Sequence, residues 1–264
     1  MHYSEVTPVS PLLRRHIRCF WFLRDAPAEL SPERVLPDGC CEIVINRAAR
    51  FRQQVGDRWE LQARHLLVGQ IRRFLMLAPT GEIDLVGIRF EPGGLARFVP
   101  APAGELIEQR IDLDAVDRNL RIELEAAGDE IDAIESVLLK RLRRTRTPEL
   151  PLAVERLVES RGAMSIDELN TLFGGARRLE RAFRRDVGMP AKTLARVVRF
   201  QQAVRALDTG GQGGAQLALA CGYFDQAHLI RDFRAFAGQS PTGYLADQHA
   251  MSDAFVSDLS NSGT

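Results

Sequence analysis

The decapeptide LERAFRRDVG, Leu179 to Gly188, returns fifty residues later as LIRDFRAFAG, Leu229 to Gly238. Leu179/Leu229, Arg181/Arg231, Phe183/Phe233, Arg184/Arg234 and Gly188/Gly238 are identical at this one offset, five positions of ten. A Leu and a Phe four apart share a helix face, and the arginines fall on others. Each copy closes on a glycine able to take the left-handed conformation that ends helices. Pro190 or Pro241 follows and suits the first turn of another helix. One helical unit is therefore used twice. Between the copies, Leu194, Val197, Val198, Val204 and Leu207 put an apolar stripe on a connecting helix from Pro190 to Leu207.

The residues before each copy supply a partner helix. Ahead of the second stands QLALACGYFDQ, Gln216 to Gln226. Its small residues let a short helix pack closely, Gly222 permits a tight turn, and Asp225 is placed to cap the next helix. Ahead of the first, Ser165 and Glu168 form a capping box, and a helix runs to Leu172 before Gly174-Gly175. Each unit reads as a helix-turn-helix that offers its second helix to a DNA groove. Arg177, Arg181 and Arg184 share one face, fit for major-groove contact, while Arg178 and Arg185 lie to the side, toward phosphates. Glu180 either accepts from a cytosine amino group or only spaces the arginines. In the second unit Gln226, His228, Arg231 and Arg234 are left off the buried face. His228 either meets a base or is held locally.

Net charge argues against nucleic acid until its distribution is considered. The chain has 264 residues, with 35 basic and 35 acidic side chains. Residues 177–205, however, hold nine basic groups against two acidic ones. Affinity for phosphate follows the charge of the docking face. The only lysines are Lys140 and Lys192, so the positive charge is almost all guanidinium, which binds guanine edges as well as phosphate.

The length fits about two domains. Residues 1–112 read as strand-rich: Cys41 to Ile45, Leu66 to Val68, Phe74 to Leu77 and Ile83 to Phe90 are strand candidates, and Gly93-Gly94 opens a short helix. Ser4 to Leu23 reads as a helix followed by a strand. Residues 113–147 read as a helical linker in which Ile131, Ile134, Val137, Leu138 and Leu142 make one stripe. That stripe either dimerises or packs on the strand domain. Residues 148–249 hold the two units, Gly210 to Gly214 is a connector, and 250–264 is a polar, disordered tail. The fold class is α+β.

Enzyme chemistry finds little support in the residues. The five histidines are scattered, the cysteines (Cys19, Cys40, Cys41, Cys221) lack metal-ligand spacing, and no Gly-x-Ser-x-Gly elbow occurs. No catalytic, metal or cofactor site is assigned. The cysteines are expected to be buried and reduced. With no apolar run of membrane-spanning length and no signal-peptide architecture, the cytoplasm is the expected compartment.

The pattern Gly222-Tyr223-x-Asp225-Gln226-x-His228-x-x-Arg231-x-Phe233, followed by Pro241 and Tyr244, resembles the DNA-binding domain of the AraC/XylS family of bacterial transcription regulators, and the resemblance spans residues 152–246. It implies two recognition helices in successive major grooves on one face of duplex DNA. The first unit departs from the pattern: its turn is one residue short, Asn170 stands where Ala is usual, and Met189 stands where a Ser would cap. The segments CFWF (19–22), LPDGCCEIV (36–44), LLVGQ (66–70) and GIRFEPGG (87–94) resemble the cupin-like sensory domain often fused to such regulators. The expectation is a sequence-specific transcription regulator with duplex DNA, a small-molecule effector, RNA polymerase and a second copy of the chain as partners, and no membrane. Trp21, Arg34, Asp38 and Arg89 are candidates for an effector pocket or for a salt-bridged scaffold. The competing readings are a ligand-independent DNA-binding protein whose N-terminal domain only dimerises, and a cupin-like enzyme fused to a helix-turn-helix.

Overall fold

Alternation along the N-terminal strands decides how the first half is layered. The computed structural model describes residues 2–26, 31–144, 147–210 and 214–246. The expected tail from residue 250, the middle of the Gly210–Gly214 connector and part of the expected linker lie outside the described residues. Among the described residues ten strands form: β1 (His2–Val6), β2 (Ile17–Asp25), β3 (Glu33–Val35), β4 (Glu42–Asn46), β5 (Phe51–Val55), β6 (Arg58–Leu61), β7 (His65–Val68), β8 (Leu75–Pro79), β9 (Ile83–Phe90) and β10 (Arg110–Asp112). Six make a sheet in the order β1-β2-β9-β4-β7-β10, and four make a second in the order β3-β8-β5-β6.

In the larger sheet the inner strands β2, β9, β4 and β7 divide their side chains between two environments. Phe20, Phe22, Ile43, Ile45, Leu67, Val86, Ile88 and Phe90 face one way, into a core with the helices. Cys19, Trp21, Leu23 and Leu85 face the other, toward Phe51 and Leu77 of the smaller sheet. This is the period of two that pleated strands impose. Ile17 joins Phe20 on the helical side because the β2–β9 register slips between Ile17 and Cys19, as a bulge does. Gly87 sits opposite Trp21, and a Cβ there would stand 1.8 Å from the indole ring. Glycine lets the ring lie over β9.

Helices α1 (Pro11–Arg14), α2 (Leu113–Ala127) and α3 (Ile131–Arg141) cover the outer face of the larger sheet. The stripe of α3 is buried there through Ile134, Val137 and Leu138. The sequence expectation of a helix over the first residues is met only by the single turn of α1, since β1 precedes it. The β5–β6 hairpin escaped the sequence reading because its side chains are mostly exposed and polar, with no buried face to set an alternation.

The second half is all helical: α4 (Leu150–Glu159), α5 (Ile166–Leu172), α6 (Ala176–Ala182), α7 (Ala191–Asp208), α8 (Ala215–Ala220), α9 (Gln226–Ala237) and α10 (Pro241–Ala246). Helix α7 runs through the middle with ten buried residues. Phe200 on it meets Phe233 at 5.0 Å and Phe236 at 5.2 Å between ring centroids, so α9 and α7 are locked by aromatic contact.

Candidate nucleic-acid interface

Both units form as the repeat requires, with different local geometry. In the second, Gly222 takes φ +76° at the turn, and the Asp225 carboxylate accepts from the His228 N–H at 2.6 Å, capping α9. In the first, the Ser165 hydroxyl accepts from the Glu168 N–H, and the Glu168 carboxylate accepts from the Ser165 N–H, which completes the capping box of α5. The first turn is built on two successive glycines at positive φ, Gly174 (+77°) and Gly175 (+117°). Beyond α6 the helix widens into a π-helical segment, Phe183–Val187, whereas α9 continues as α-helix to Gly238. Gly188 (φ +92°) and Gly238 (φ +75°) end the two recognition helices in the left-handed conformation.

The two recognition helices expose their arginines unequally. Arg177, Arg181, Arg231 and Arg234 are exposed and make no ion pair among the described residues. Arg184 is exposed but pairs with Glu180 at 3.0 Å, so these two expected contacts lean on each other. Arg178 pairs with Glu149 at 2.6 Å and lies over the Phe173 ring. Arg185 pairs with Asp186 at 2.6 Å and also donates to the Thr147 hydroxyl. Gln226 is exposed. His228 is half-buried, edge-on to the Tyr223 ring with centroids 5.1 Å apart. Phe224, in the turn ahead of α9, is 87% exposed.

Two of the nine basic groups in 177–205 serve the fold. Arg196 donates to the Asp232 carboxylate at 2.7 and 3.1 Å, tying α7 to α9. Arg199 donates to the Gly162 carbonyl and lies over the Tyr223 ring. Asp232 carries no signal in the sequence. Its counterpart in the first copy is Ala182, so the repeat itself does not mark it.

The strand half grips the helical half at three places. The Phe74 N–H donates to the Phe236 carbonyl at 2.7 Å, and its ring fills the space a Cβ on Gly238 would need. Leu36 joins the helical core, the buried Gln201 side chain donates to the Pro37 carbonyl at 2.6 Å, and Gly39 abuts Leu194 of α7. Ala103 and Gly104 press on Gly188 and Arg184 at the end of the first recognition helix. The C-terminal ends of both recognition helices are therefore held, and their N-terminal ends stay open.

Between the two sheets lies a cavity of about 100 Å³. Trp21, Val44, Phe51, Leu66, Val68, Leu77 and Leu85 line it, together with Glu42, Asp38, Arg89 and Arg110. Arg89 is 1% exposed, and its guanidinium meets Glu42 at 2.6 Å and Asp38 and Glu5 at 3.5 Å each. Burial pushes the Glu42 carboxyl up against the pull of Arg89. Of the residues expected around a pocket, Trp21, Asp38 and Arg89 line it. Arg34 lies over the Phe74 ring instead. The alternation of Glu42, Val44 and Asn46 with Ile43 and Ile45 is the sequence signal that marks the cavity floor. All four cysteines are free and buried, with burial pushing Cys41 up to about 12. No helix among the described residues is long and apolar enough to cross a membrane.

Comparison with known proteins follows the same division. Residues 4–112 match a domain of unknown function, DUF6597, and residues 170–247 match a helix-turn-helix domain. No curated protein matches the chain. ToxT from Vibrio cholerae is 12% identical, with 86% of this chain and 98% of that one covered at a TM-score of 0.47. Unsaturated fatty acid bound ToxT from strain SCE256 is 11% identical over 84% of this chain and 97% of that one, at a TM-score of 0.42. The AraC-like transcriptional activator CuxR is 11% identical over 80% and 88%, at a TM-score of 0.26. The helix-turn-helix match covers both α6 and α9, and the Gly222-Tyr223-x-Asp225-Gln226 pattern sits at the turn and cap ahead of α9: over residues 170–247 the chain carries a helix-turn-helix domain of the AraC type.

Proposed function

We propose that the chain recognises a specific duplex site through both units and that a small molecule in the strand half adjusts that binding. The observation that carries the reading is the set of four exposed guanidinium groups, without an ion pair among the described residues, on two helices held from behind. Arg177 and Arg181 on α6, and Gln226 and Arg231 on α9, reach base edges. His228 and Glu180 set the local hydrogen bonding. Arg184 and Arg234, one turn further on, and Arg178 and Arg185 at the side meet phosphates, Arg178 and Arg185 by exchanging their internal carboxylate partners. A wall shared between cavity and α7, Leu36 to Cys40, gives a ligand a physical route to the units: occupancy favours one arrangement of that wall, and so one population of DNA-competent protein. DNA must then alter ligand affinity by the same factor.

Selection of sites from a random duplex library at two salt concentrations tests the first limb. A preferred site that survives at the higher salt supports it; binding without preference that vanishes with salt sinks it. At that site Arg231→Ala costs about 1–3 kcal/mol at one base step. An equal loss on every sequence reassigns Arg231 to phosphate.

A further inference from the structure

One transverse row of the larger sheet brings Arg89, Glu42 and Arg110 to the cavity, with Asp38 and Arg64 joining the lining from outside the row. The pairings Cys19 with Arg89, Arg89 with Glu42, Glu42 with Val68 and Val68 with Arg110 run straight across five strands. Paired residues share a face, so all five side chains point to the inter-sheet side. The two arginines in this row stand in opposite circumstances. Arg89 has three carboxylates around it. Arg110, two strands and roughly 10 Å beyond Glu42, has none at ion-pair distance among the described residues. Its Nε is buried without a hydrogen-bond partner. Burial pushes its guanidinium down, and Glu108 offsets this only in part. A buried donor left unmatched is costly, and this one lines the cavity together with Leu66, Val68 and Ile71, while the carboxylates of Asp38 and Glu42 in the same lining are engaged by Arg89.

We propose that the cavity takes a small monocarboxylate, with its apolar body between the two sheets beside Trp21, Leu66 and Leu77 and its carboxylate on Arg110. The guanidinium fork matches a planar carboxylate in two parallel hydrogen bonds. One cation balances one carboxylate charge and leaves a phosphate dianion uncompensated. The space is of the order of the engineered apolar cavity that accommodates benzene, which sets the body at a short alkyl chain or a single ring. For its regulatory meaning the proposal rests on the effector reading above; for binding it stands alone.

Hexanoate and benzoate, with hexanol and benzyl alcohol as uncharged controls, are the probes, titrated by calorimetry into the full chain. The chain has two tryptophans; W59F, at the exposed hairpin, leaves Trp21 as a fluorescence reporter in the cavity wall. Wild type binds the acids about ten- to a hundredfold more tightly than the alcohols. R110Q loses that difference, and R110K, which keeps the charge but not the fork, falls between. V44F, which fills the floor, abolishes both classes and keeps the test decisive if R110Q fails to fold. Equal binding of acid and alcohol by wild type, unchanged acid binding by R110Q, or no acid binding at millimolar concentration each overturns the proposal. Affinity for the selected DNA site, measured with and without hexanoate, separates the two ideas. Acid binding without a change in DNA affinity defeats only the effector reading, and DNA binding that survives while no acid binds defeats only this one.

Discussion

Replacing Arg196 by methionine keeps the length and most of the apolar volume of the side chain but strips Asp232 of its partner. The carboxylate on α9 is 2% exposed and receives both hydrogen bonds from one guanidinium, which also lies over Phe236 at 5.1 Å. Removing one member of a buried ion pair costs about 3–5 kcal/mol, because the survivor stays charged without compensation. The Arg196 side chain is 35% exposed, so water reaches the orphan in part, and the cost falls to about 2–3 kcal/mol. For a chain of this size that lowers Tm by about 5–10 °C. Asp232→Asn alone costs about 1 kcal/mol, since Arg196 can turn to solvent. The double variant R196M/D232N is therefore more stable than R196M, although it carries one more substitution. Calorimetric unfolding of the four proteins closes the cycle. If the double variant is as unstable as the sum of the singles, the pair is not a coupled unit and α9 is seated by its aromatic contacts alone.

Gly238→Ala adds a methyl 2.2 Å from the Phe74 ring at a residue with φ +75°. The conformation and the overlap together cost about 2–4 kcal/mol, and F74A/G238A recovers part of it; thermal unfolding that ranks the double variant below G238A refutes the seating of Phe74. His16 accepts from the Arg97 guanidinium in its neutral form, and burial, with Arg97 and Arg15 nearby, lowers its pKa to about 4. The unfolded chain, at about 6.5, binds the extra proton in between, so stability is full above the unfolded value and declines as pH falls from about 6.5 to 4. His16→Gln flattens that decline in urea midpoints taken across the interval; an unchanged slope assigns it to other groups.

The two units were legible because their signals are local. Caps, turn glycines and a four-residue Leu–Phe spacing lie within a dozen residues, and each copy corroborates the other. The N-terminal strands were legible where both faces are apolar, as in β2 and β9. What stayed hidden depends on partners distant in sequence. Arg196 and Arg199 look like DNA-facing charge until α9 and the Gly162 turn come against them. Glu42 and Arg110 share a row only through β7, which no local pattern reveals. Phe74 reads as the start of a strand, yet it precedes β8 and serves the helical half. A π-helical widening at Phe183–Val187 leaves no trace in a sequence that repeats LIRDFRAFAG so closely.

Leu36 bears on how this architecture can be divided. Its side chain is buried in the core of the helical half although its backbone leaves β3, and the carbonyl of its neighbour Pro37 accepts from Gln201 of α7. A helical half cut free before α4 would keep its recognition helices but carry a vacancy over Leu194 and Val197, with the amide of Gln201 facing it. The two halves meet like a tenon in a mortise, and recombining this strand half with a foreign pair of units requires carrying residues 36–39 and their socket on α7 together.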